Sequence, residues 1–312
     1  MRANRLHLLM VTVSAILIVH MKMMTNAPPD APPDADEPLL IRGGAAHLKH
    51  MQWAKPGYMI NAVGADSPLR LSVYNLNTPA PAECKSTIHE ERSASVKWPL
   101  AGFLEHLGSD AQQSTHRMYV EDTYLYSSDP DYLHLARNKG SAALHGLDPD
   151  LPSTVPAFAG AAAHAGRPLT AVAFFMGNGS DSSMHQDAGE CNFITQIHGC
   201  KEVITAPPEA VSVLGRNPLR TNDALLETSR RSSWSGLPAR GSAGLADGLS
   251  LCGGTVPVPG ARYFRLCAGD VLYLPTSTWH ALYGDVVPAG GPPSMTVTFF
   301  FESASVAATS TT

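Results

Sequence analysis

The 312-residue sequence has few charged residues: they make up 16% of it, and the formal net charge is -5 at pH 7. Proteins that bind the phosphate backbone of nucleic acids usually carry a clear basic excess, so a nucleic-acid partner is not favoured. The 44% hydrophobic content suffices for one sizeable core, and β-rich single domains often reach this length. We therefore expect one globular domain.

Closely spaced cysteine pairs are also absent. The five cysteines are Cys84, Cys191, Cys200, Cys252 and Cys267, and no two of them form a CxxC pair. A structural zinc site is therefore not expected. Their number is odd and the chain is large, so folding does not require a disulfide framework, although one bridge can form.

The N-terminal hydrophobic run is too short for a conventional membrane span. It covers residues 8–19, whereas a membrane helix needs about 20 residues. Arg2 and Arg5 precede it, a pattern typical of a secretory signal peptide or a short signal-anchor, which we predict at 1–26. The domain would then lie in the ER or Golgi lumen or be anchored at that membrane. Because no acidic residue occurs before Asp30, a mitochondrial or plastid transit peptide is one alternative, and a disordered apolar tail is the other.

Turn-forming residues divide the remaining sequence into segments. Residues 27–38, APPDAPPDADEP, are predicted to be a linker because this composition cannot pack a core. The main globular domain is predicted at 39–303. It would contain a long variable loop at 209–260, which is rich in Ser, Gly and Arg. The last residues, 304–312, are predicted to be a disordered tail.

The domain is predicted to be mainly β. One helix is expected at 98–108, where Leu100, Phe103, Leu104 and Leu107 recur at helical spacing. Short strands separated by Gly, Pro and Asp turns indicate an all-β barrel or jelly roll. The predicted strands are 117–126, 169–177, 192–199, 201–208, 261–275 and 294–302.

Two histidines and one carboxylate occur in a pattern that suits a metal ion. His185 and Asp187 follow an apolar strand and are two residues apart, so on an extended chain they point to the same face. His280 follows GDVLYLP and can enter from a second strand. Two His and one carboxylate on one face are typical of Fe(II) oxygenases, whose open positions accept a bidentate cosubstrate and O2. Lys201, one or two strands later, can pair with a distal carboxylate of that cosubstrate.

The order of these motifs resembles a known family. It is similar to the JmjC/cupin-like (cupin-8 type) Fe(II)/2-oxoglutarate-dependent oxygenases, and within them to the asparaginyl hydroxylase and wybutosine hydroxylase group. The similarity extends over about residues 37–303, and it implies a double-stranded β-helix (jelly-roll) with flanking N-terminal helices. The segments that carry it are SDSSMHQDAGECNFITQIHGCKEVITAPP, GDVLYLPTSTWHAL and TVTFFFE, with EPLLIRGGA, WPLAGFLEHL and RMYVEDTYL upstream.

The resemblance implies a cofactor set and the residues that bind it. The cofactors are Fe(II) and the cosubstrate 2-oxoglutarate. His185, Asp187 and His280 match the family's iron ligands. Lys201 matches the lysine that binds the distal carboxylate of 2-oxoglutarate, and Tyr119 matches the tyrosine that shares this task.

Three further positions match the family less closely. Ser182 lies where the family often has Thr, and Thr298 lies where some relatives have Asn. Asn192 matches an asparagine near the metal, but the spacing from His185 is one residue longer than usual. We expect a bulge or a wider turn to absorb the extra residue. These three are expected to contribute to the cofactor-binding site.

The resemblance implies a dioxygenase that hydroxylates its substrate or, through a hemiaminal, demethylates it. A protein or peptide substrate is favoured, with O2 and 2-oxoglutarate as the other reactants. One alternative is a non-catalytic cupin-fold binding protein. The other is a different metallo-cupin enzyme, such as an isomerase or a Mn or Zn enzyme, which usually offers three or more His ligands and has no use for Lys201.

Overall fold

The structure is a computed structural model, and every described element belongs to the compact unit Asp36–Thr312. The predicted segments 1–26 and 304–312, nearly all of the predicted linker and most of the 209–260 loop lie outside the described residues. The residues described are 37–75, 92–108, 116–128, 141–179, 181–187, 190–210, 231–233, 249–251, 254–256, 259–285, 287–288 and 290–302.

Antiparallel β-strands dominate this part of the chain. The strands are, in chain order, β1 Leu39–Ile41, β2 Pro68–Asn75, β3 Arg92–Pro99, β4 His116–Ser127, β5 Ala171–Gly177, β6 Asp181–Asp187, β7 Glu190–His198, β8 Cys200–Ala206, β9 Arg231–Ser233, β10 Leu249–Leu251, β11 Gly254–Val256, β12 Arg262–Cys267, β13 Val271–Leu274, β14 Trp279–Gly284 and β15 Ser294–Glu302.

In the described ranges helices are few and short, and most of them precede β5. None of those in the described part of the chain is long and apolar enough to cross a membrane. The α-helices are α1 Tyr58–Val63 and α2 Leu100–Leu107. The 3-10 helices are Lys49–Ala54, Ser141–Asp150, Ala162–His164 and Pro208–Ala210.

The strands form the predicted jelly roll. A large sheet has the order β1-β13-β7-β15-β5-β4-β2-β3, a smaller sheet has the order β12-β8-β14-β6-β9, and β10 pairs with β11 separately. From β5 to β8 the chain alternates between the large and the smaller sheet at every strand. It alternates again from β12 to β15. β8 and β12 are neighbours within the smaller sheet. All pairs are antiparallel. The interior between the two sheets is therefore lined by alternate residues of these eight strands.

Two apolar clusters hold this arrangement together. Between the sheets lies a cluster to which both contribute: Ile194, Val203, Leu266, Leu272, Leu274 and Leu282. A larger cluster covers the other face of the large sheet and includes Trp53, Leu100 and Phe103 of the N-terminal helices and Phe174 and Phe299 of the sheet; the rings of Trp53 and Phe174 lie 5.4 Å apart. Each large buried side chain contributes about 1.5–3 kcal/mol of transfer free energy. The helices thus leave the inward face of the large sheet to the site.

Two predicted elements have different boundaries in the structure. The predicted helix 98–108 begins at Leu100, because the preceding residues pair with β2 as the end of β3. The predicted strand 261–275 is two strands in different sheets, β12 and β13, separated by a turn at Gly269 (φ 89°). Asp270 stabilises that turn because its carboxylate accepts the backbone N–H groups of Cys267 and Gly43, each at 3.0 Å.

One disulfide joins neighbouring strands of the smaller sheet. Cys200 on β8 and Cys267 on β12 are register partners with their Cα atoms 4.1 Å apart, and they are bonded to each other. Among the described cysteines, Cys191 is a buried free thiol. The sequence allowed one bridge without indicating which pair forms it, because the register that brings these two strands together is not local.

Candidate metal centre

The metal-binding pattern converges at one end of the smaller sheet. His185 and Asp187 lie at the end of β6, and His280 lies on β14 opposite His185 in the ladder. One ligand atom from each residue lies within 4.8 Å of the other two. His280 Nε2 is 3.5 Å from Asp187 Oδ2, and His185 Nε2 is 3.9 Å from Asp187 Oδ1. Three donors at this spacing can bind one cation between them.

An irregularity in β6 helps to aim these ligands. Three residue steps separate Ser182 from His185, whereas two steps separate their partners Leu282 and His280 on β14. This extra residue is a β-bulge, which bends a strand and redirects the side chains beyond it. The bulge or wider turn predicted between His185 and Asn192 concerns the connection 188–189, which lies outside the described residues.

Hydrogen bonds to the ligands prepare them for a cation. Thr278 O accepts a hydrogen bond from His280 Nδ1 at 3.0 Å, and since a carbonyl cannot donate, the ring proton lies on Nδ1. The Nε2 lone pair of His280 therefore faces Asp187 and is available to a metal. Asn192 Nδ2 donates to Asp187 Oδ2 at 2.9 Å, which holds the carboxylate in place.

The donor set fits a first-row divalent metal. Two imidazole nitrogens and one carboxylate oxygen, with the remaining directions open, are the ligands of non-haem Fe(II) oxygenases. The side chains of Asp187 and His280 are buried, and that of His185 is nearly so. Asn192 Oδ1 is buried beside them with no hydrogen-bond partner in the described structure, so it can accept a hydrogen bond from a bound group. The residues present can hold the metal that the pattern predicts.

The turn before His280 is held by a local hydrogen bond and by one hydrogen bond from a residue of β6. Thr278 N donates to Pro275 O at 3.2 Å, and Ser277 has a φ of 62°, the one positive value among the described non-glycine residues. A positive φ in a residue other than glycine requires support from the surroundings. Gln186, which lies between two ligands in the sequence, donates from Nε2 to Ser277 O at 2.6 Å. Gln186 therefore connects the two strands that supply the three ligands.

Replacing Gln186 with glutamate should weaken metal binding. The substitution keeps the side-chain shape but places a carboxylate against the carbonyl of Ser277, so the turn before His280 loses its support. Indirect supports of metal ligands typically contribute 10- to 100-fold in affinity, and we expect a loss of about tenfold in Co(II) affinity, measured by titration. Gln52→Glu, remote from the triad, is the matched control. Equal affinities in Gln186→Glu and wild type would refute this role.

The predicted cosubstrate residues Lys201 and Tyr119 lie in the same interior, and Lys201 is further along β8 from the metal ligands. Lys201 on β8 is 3% exposed, and its Nζ lies 5.8 Å from the ring centroid of Phe175 on β5. The buried ring of Tyr119 on β4 lies 6.2 Å from the same Phe175 ring. Lys201 and Tyr119 thus approach one aromatic side chain from different sheets. Their role in binding 2-oxoglutarate stays a prediction.

Ser182 and Thr298 lie at intermediate depth. Ser182 is half-buried on β6, opposite Leu282 on β14. Leu282 lies between His280 and Gly284, and Gly284 is opposite Lys201. Thr298 is buried on β15, where it pairs with residues of β5 and β7. Their predicted contacts with a cosubstrate stay predictions.

Sequence reasoning did not identify three residues that the structure places near the site. They are Phe175, Gln186 and Thr205. Phe175 and Thr205 both lie within predicted strands, and alternation from Lys201 would have placed Thr205 on the lysine's face. The strand of Phe175 contains no predicted site residue from which its face could be counted. The contact of Gln186 with Ser277 joins residues 91 positions apart, which no local pattern indicates.

Comparison with known proteins gives one family. The model of the cupin-like domain matches residues 34–306. No curated protein shows significant similarity to the chain.

Proposed function

Because the chain belongs to the cupin-like domain family, we propose that it is an Fe(II)- and 2-oxoglutarate-dependent dioxygenase that hydroxylates a substrate C–H bond. The observation that carries this proposal is the convergence of His185, Asp187 and His280 inside a jelly roll, within 4.8 Å of one another. The buried Lys201 in the same interior supports it, because its ammonium group can pair with the distal carboxylate of 2-oxoglutarate. The proposal therefore rests on the metal site and a cation for the cosubstrate.

The chain's residues would bind, orient and protect the reactants. His185, Asp187 and His280 would hold Fe(II), with Asn192 fixing the carboxylate. When bound, iron supplies the oxidising chemistry by which O2 converts 2-oxoglutarate to succinate and CO2 and places one oxygen atom on the substrate.

The positions at which the protein would hold the cosubstrate and the substrate determine which bond is oxidised. Lys201 and Tyr119 would hold the distal carboxylate away from the metal ligands, which leaves the metal end for O2 and substrate. The apolar residues between the sheets keep water from this space, so the charge contacts act in a low dielectric. A substrate positioned at the metal end would be the group oxidised.

The alternatives use the same fold differently. A non-catalytic cupin-fold binding protein would have no need for three converging metal ligands. A different metallo-cupin enzyme, such as an isomerase or a Mn or Zn enzyme, would have no use for the buried Lys201. Both features occur together here. They favour the dioxygenase over either alternative.

We propose a protein or peptide as substrate, with hydroxylation as the reaction and demethylation as its variant when the oxidised carbon is attached to nitrogen. The net charge of -5 does not favour nucleic acid. A hydroxyl placed on an N-methyl carbon gives a hemiaminal that releases formaldehyde. Formaldehyde release in a peptide assay would therefore distinguish the two outcomes.

Succinate formation tests the proposed activity without knowledge of the substrate. Purified protein is incubated with Fe(II), 2-oxoglutarate and O2, and succinate is measured against samples that lack metal or contain Zn(II). Slow, Fe(II)-dependent succinate formation is the expected result. A protein that binds metal but forms no succinate under any condition, with or without peptide pools, would indicate one of the alternatives.

We also propose that the domain works in the ER or Golgi lumen, free or membrane-anchored. The basic residues and apolar run at 1–26 support this, and so does the Cys200–Cys267 disulfide, since such bonds persist mainly in oxidising compartments. The mitochondrion and the plastid are the alternatives.

Fusing residues 1–40 to a fluorescent protein tests the location. We expect the fusion to accumulate in the ER or Golgi, because the short apolar run after Arg2 and Arg5 would engage the secretory machinery. A fusion of residues 27–40 is the matched control and should stay diffuse. A mitochondrial or plastid signal would favour a transit peptide, and a diffuse signal from the longer fusion would refute targeting by this segment.

A further inference from the structure

Thr205 lies beside the metal ligands on the neighbouring strand. In the ladder of the smaller sheet, Thr205 on β8 is opposite His280 on β14, which is in turn opposite His185 on β6. Residues directly opposite in an antiparallel ladder point to the same face, and adjacent strands are about 4.8 Å apart. Val203, two residues before Thr205, packs into the cluster between the sheets. The side chain of Thr205 therefore faces the interior at the depth of the metal.

The hydroxyl of Thr205 has no hydrogen-bond partner among the described residues. The residue is 1% exposed, and its Oγ1 is buried with no hydrogen-bond partner in the described structure. Leaving a buried hydroxyl unpaired costs free energy, and such groups in native proteins generally find a ligand or water. Asn192 Oδ1, on the opposite sheet beside Asp187, is unpaired in the same way. The two unpaired polar atoms therefore come from the two different sheets, each from a residue next to a metal ligand.

We propose that Thr205 is a further cosubstrate-binding residue, whose hydroxyl donates a hydrogen bond to the carboxylate at the metal-binding end of the 2-oxo acid. This inference rests on the proposed function. A carboxylate only accepts, so a hydroxyl can pair with it, whereas the unpaired acceptor Asn192 Oδ1 cannot. Asn192 Oδ1 would instead accept from an N–H or O–H group that lies beside the metal.

The position of Thr205 on β8 gives this contact its geometry. Lys201 lies four residues earlier on the same strand and on the same face, about 13 Å away along the backbone. The Lys201 ammonium group lies near Phe175, and Thr205 lies opposite the metal ligand His280. One strand would thus contact both ends of a short dicarboxylate, with Val203 between them. The two contacts would set the length of the acid that fits.

The test compares Thr205→Val, which removes the hydroxyl and keeps the shape, with Thr205→Ser, which keeps the hydroxyl. The affinity of Mn(II)-loaded protein for 2-oxoglutarate is measured by calorimetry. We expect Thr205→Val to weaken binding about tenfold, since a hydrogen bond to a charged group is lost, and Thr205→Ser to restore most of it. The melting temperature of ligand-free Thr205→Val should equal or exceed that of wild type, because no internal hydrogen bond is lost.

The outcomes separate this inference from the proposed function. If wild type binds 2-oxoglutarate and Thr205→Val binds it equally well, Thr205 does not contact the cosubstrate and the dioxygenase proposal stands. If both variants weaken binding equally, the shape of the side chain matters rather than its hydroxyl, which overturns the inference. If Mn(II)-loaded wild type does not bind 2-oxoglutarate at all, the proposed function fails and the inference fails with it.

Discussion

Replacing His280 with alanine is expected to abolish 2-oxoglutarate turnover and to reduce metal affinity by more than about 100-fold, since the loss of a ligand should exceed the 10- to 100-fold cost of losing an indirect support. Of the two imidazole ligand atoms, His280 Nε2 is the one closer to the Asp187 carboxylate, at 3.5 Å. The hydrogen bond from His280 Nδ1 to Thr278 O sets its tautomer. Without the imidazole, two donors remain at a site that should need three. Metal content after dialysis and succinate formation measure the two effects.

The control for this prediction is a histidine outside the site. His145 is exposed and pairs with Asp148, so His145→Ala should leave metal binding and turnover unchanged. His280→Ala is also expected to stay folded, because the interior between the sheets holds an apolar cluster that does not include His280. Circular dichroism verifies this. A folded His280→Ala protein with wild-type metal content would show that the three residues do not form the metal site.

Replacing Lys201 with methionine is expected to raise the 2-oxoglutarate concentration needed for half-maximal turnover by about 30-fold or more, with iron still bound. Removing one partner of a buried charge-assisted contact costs on the order of 2–5 kcal/mol, and 2 kcal/mol corresponds to about 30-fold. Methionine retains an apolar stem and removes the ammonium group, whose nitrogen lies 5.8 Å from the Phe175 ring centroid. The measurement is succinate formation across a range of 2-oxoglutarate concentrations, with metal content determined in parallel.

Lys97→Met is the matched control, because Lys97 is exposed on β3 at the far edge of the large sheet. It should behave as wild type. If Lys201→Met kept a normal 2-oxoglutarate requirement, the distal carboxylate would have another partner. If the variant lost its metal instead, Lys201 would support the fold around the triad rather than bind the cosubstrate.

Local patterns in the sequence were sufficient for several features of this protein. The alternation of His185 and Asp187 predicts that both side chains share one face, because neighbouring residues of any strand point to opposite faces. The spacing of Leu100, Phe103 and Leu107 predicts the buried face of α2, and all three are buried. Turn residues between short apolar segments predict a jelly roll. Each of these depends on the geometry of a few consecutive residues.

The strand pairing across the sheets was decided only by the tertiary structure. β2 and β3 were not predicted, although PLRLSVYN and RSASVKWP both alternate apolar with polar residues, and the structure shows that the two strands pair with each other. The position of Thr205 opposite His280 depends on the register of β8 and β14, and the bond from Gln186 to Ser277 joins distant segments. Which pair of cysteines bonds was decided in the same way. A period of two residues determines which face a side chain occupies within its own strand, but which side chains meet across strands depends on a register that the whole core selects.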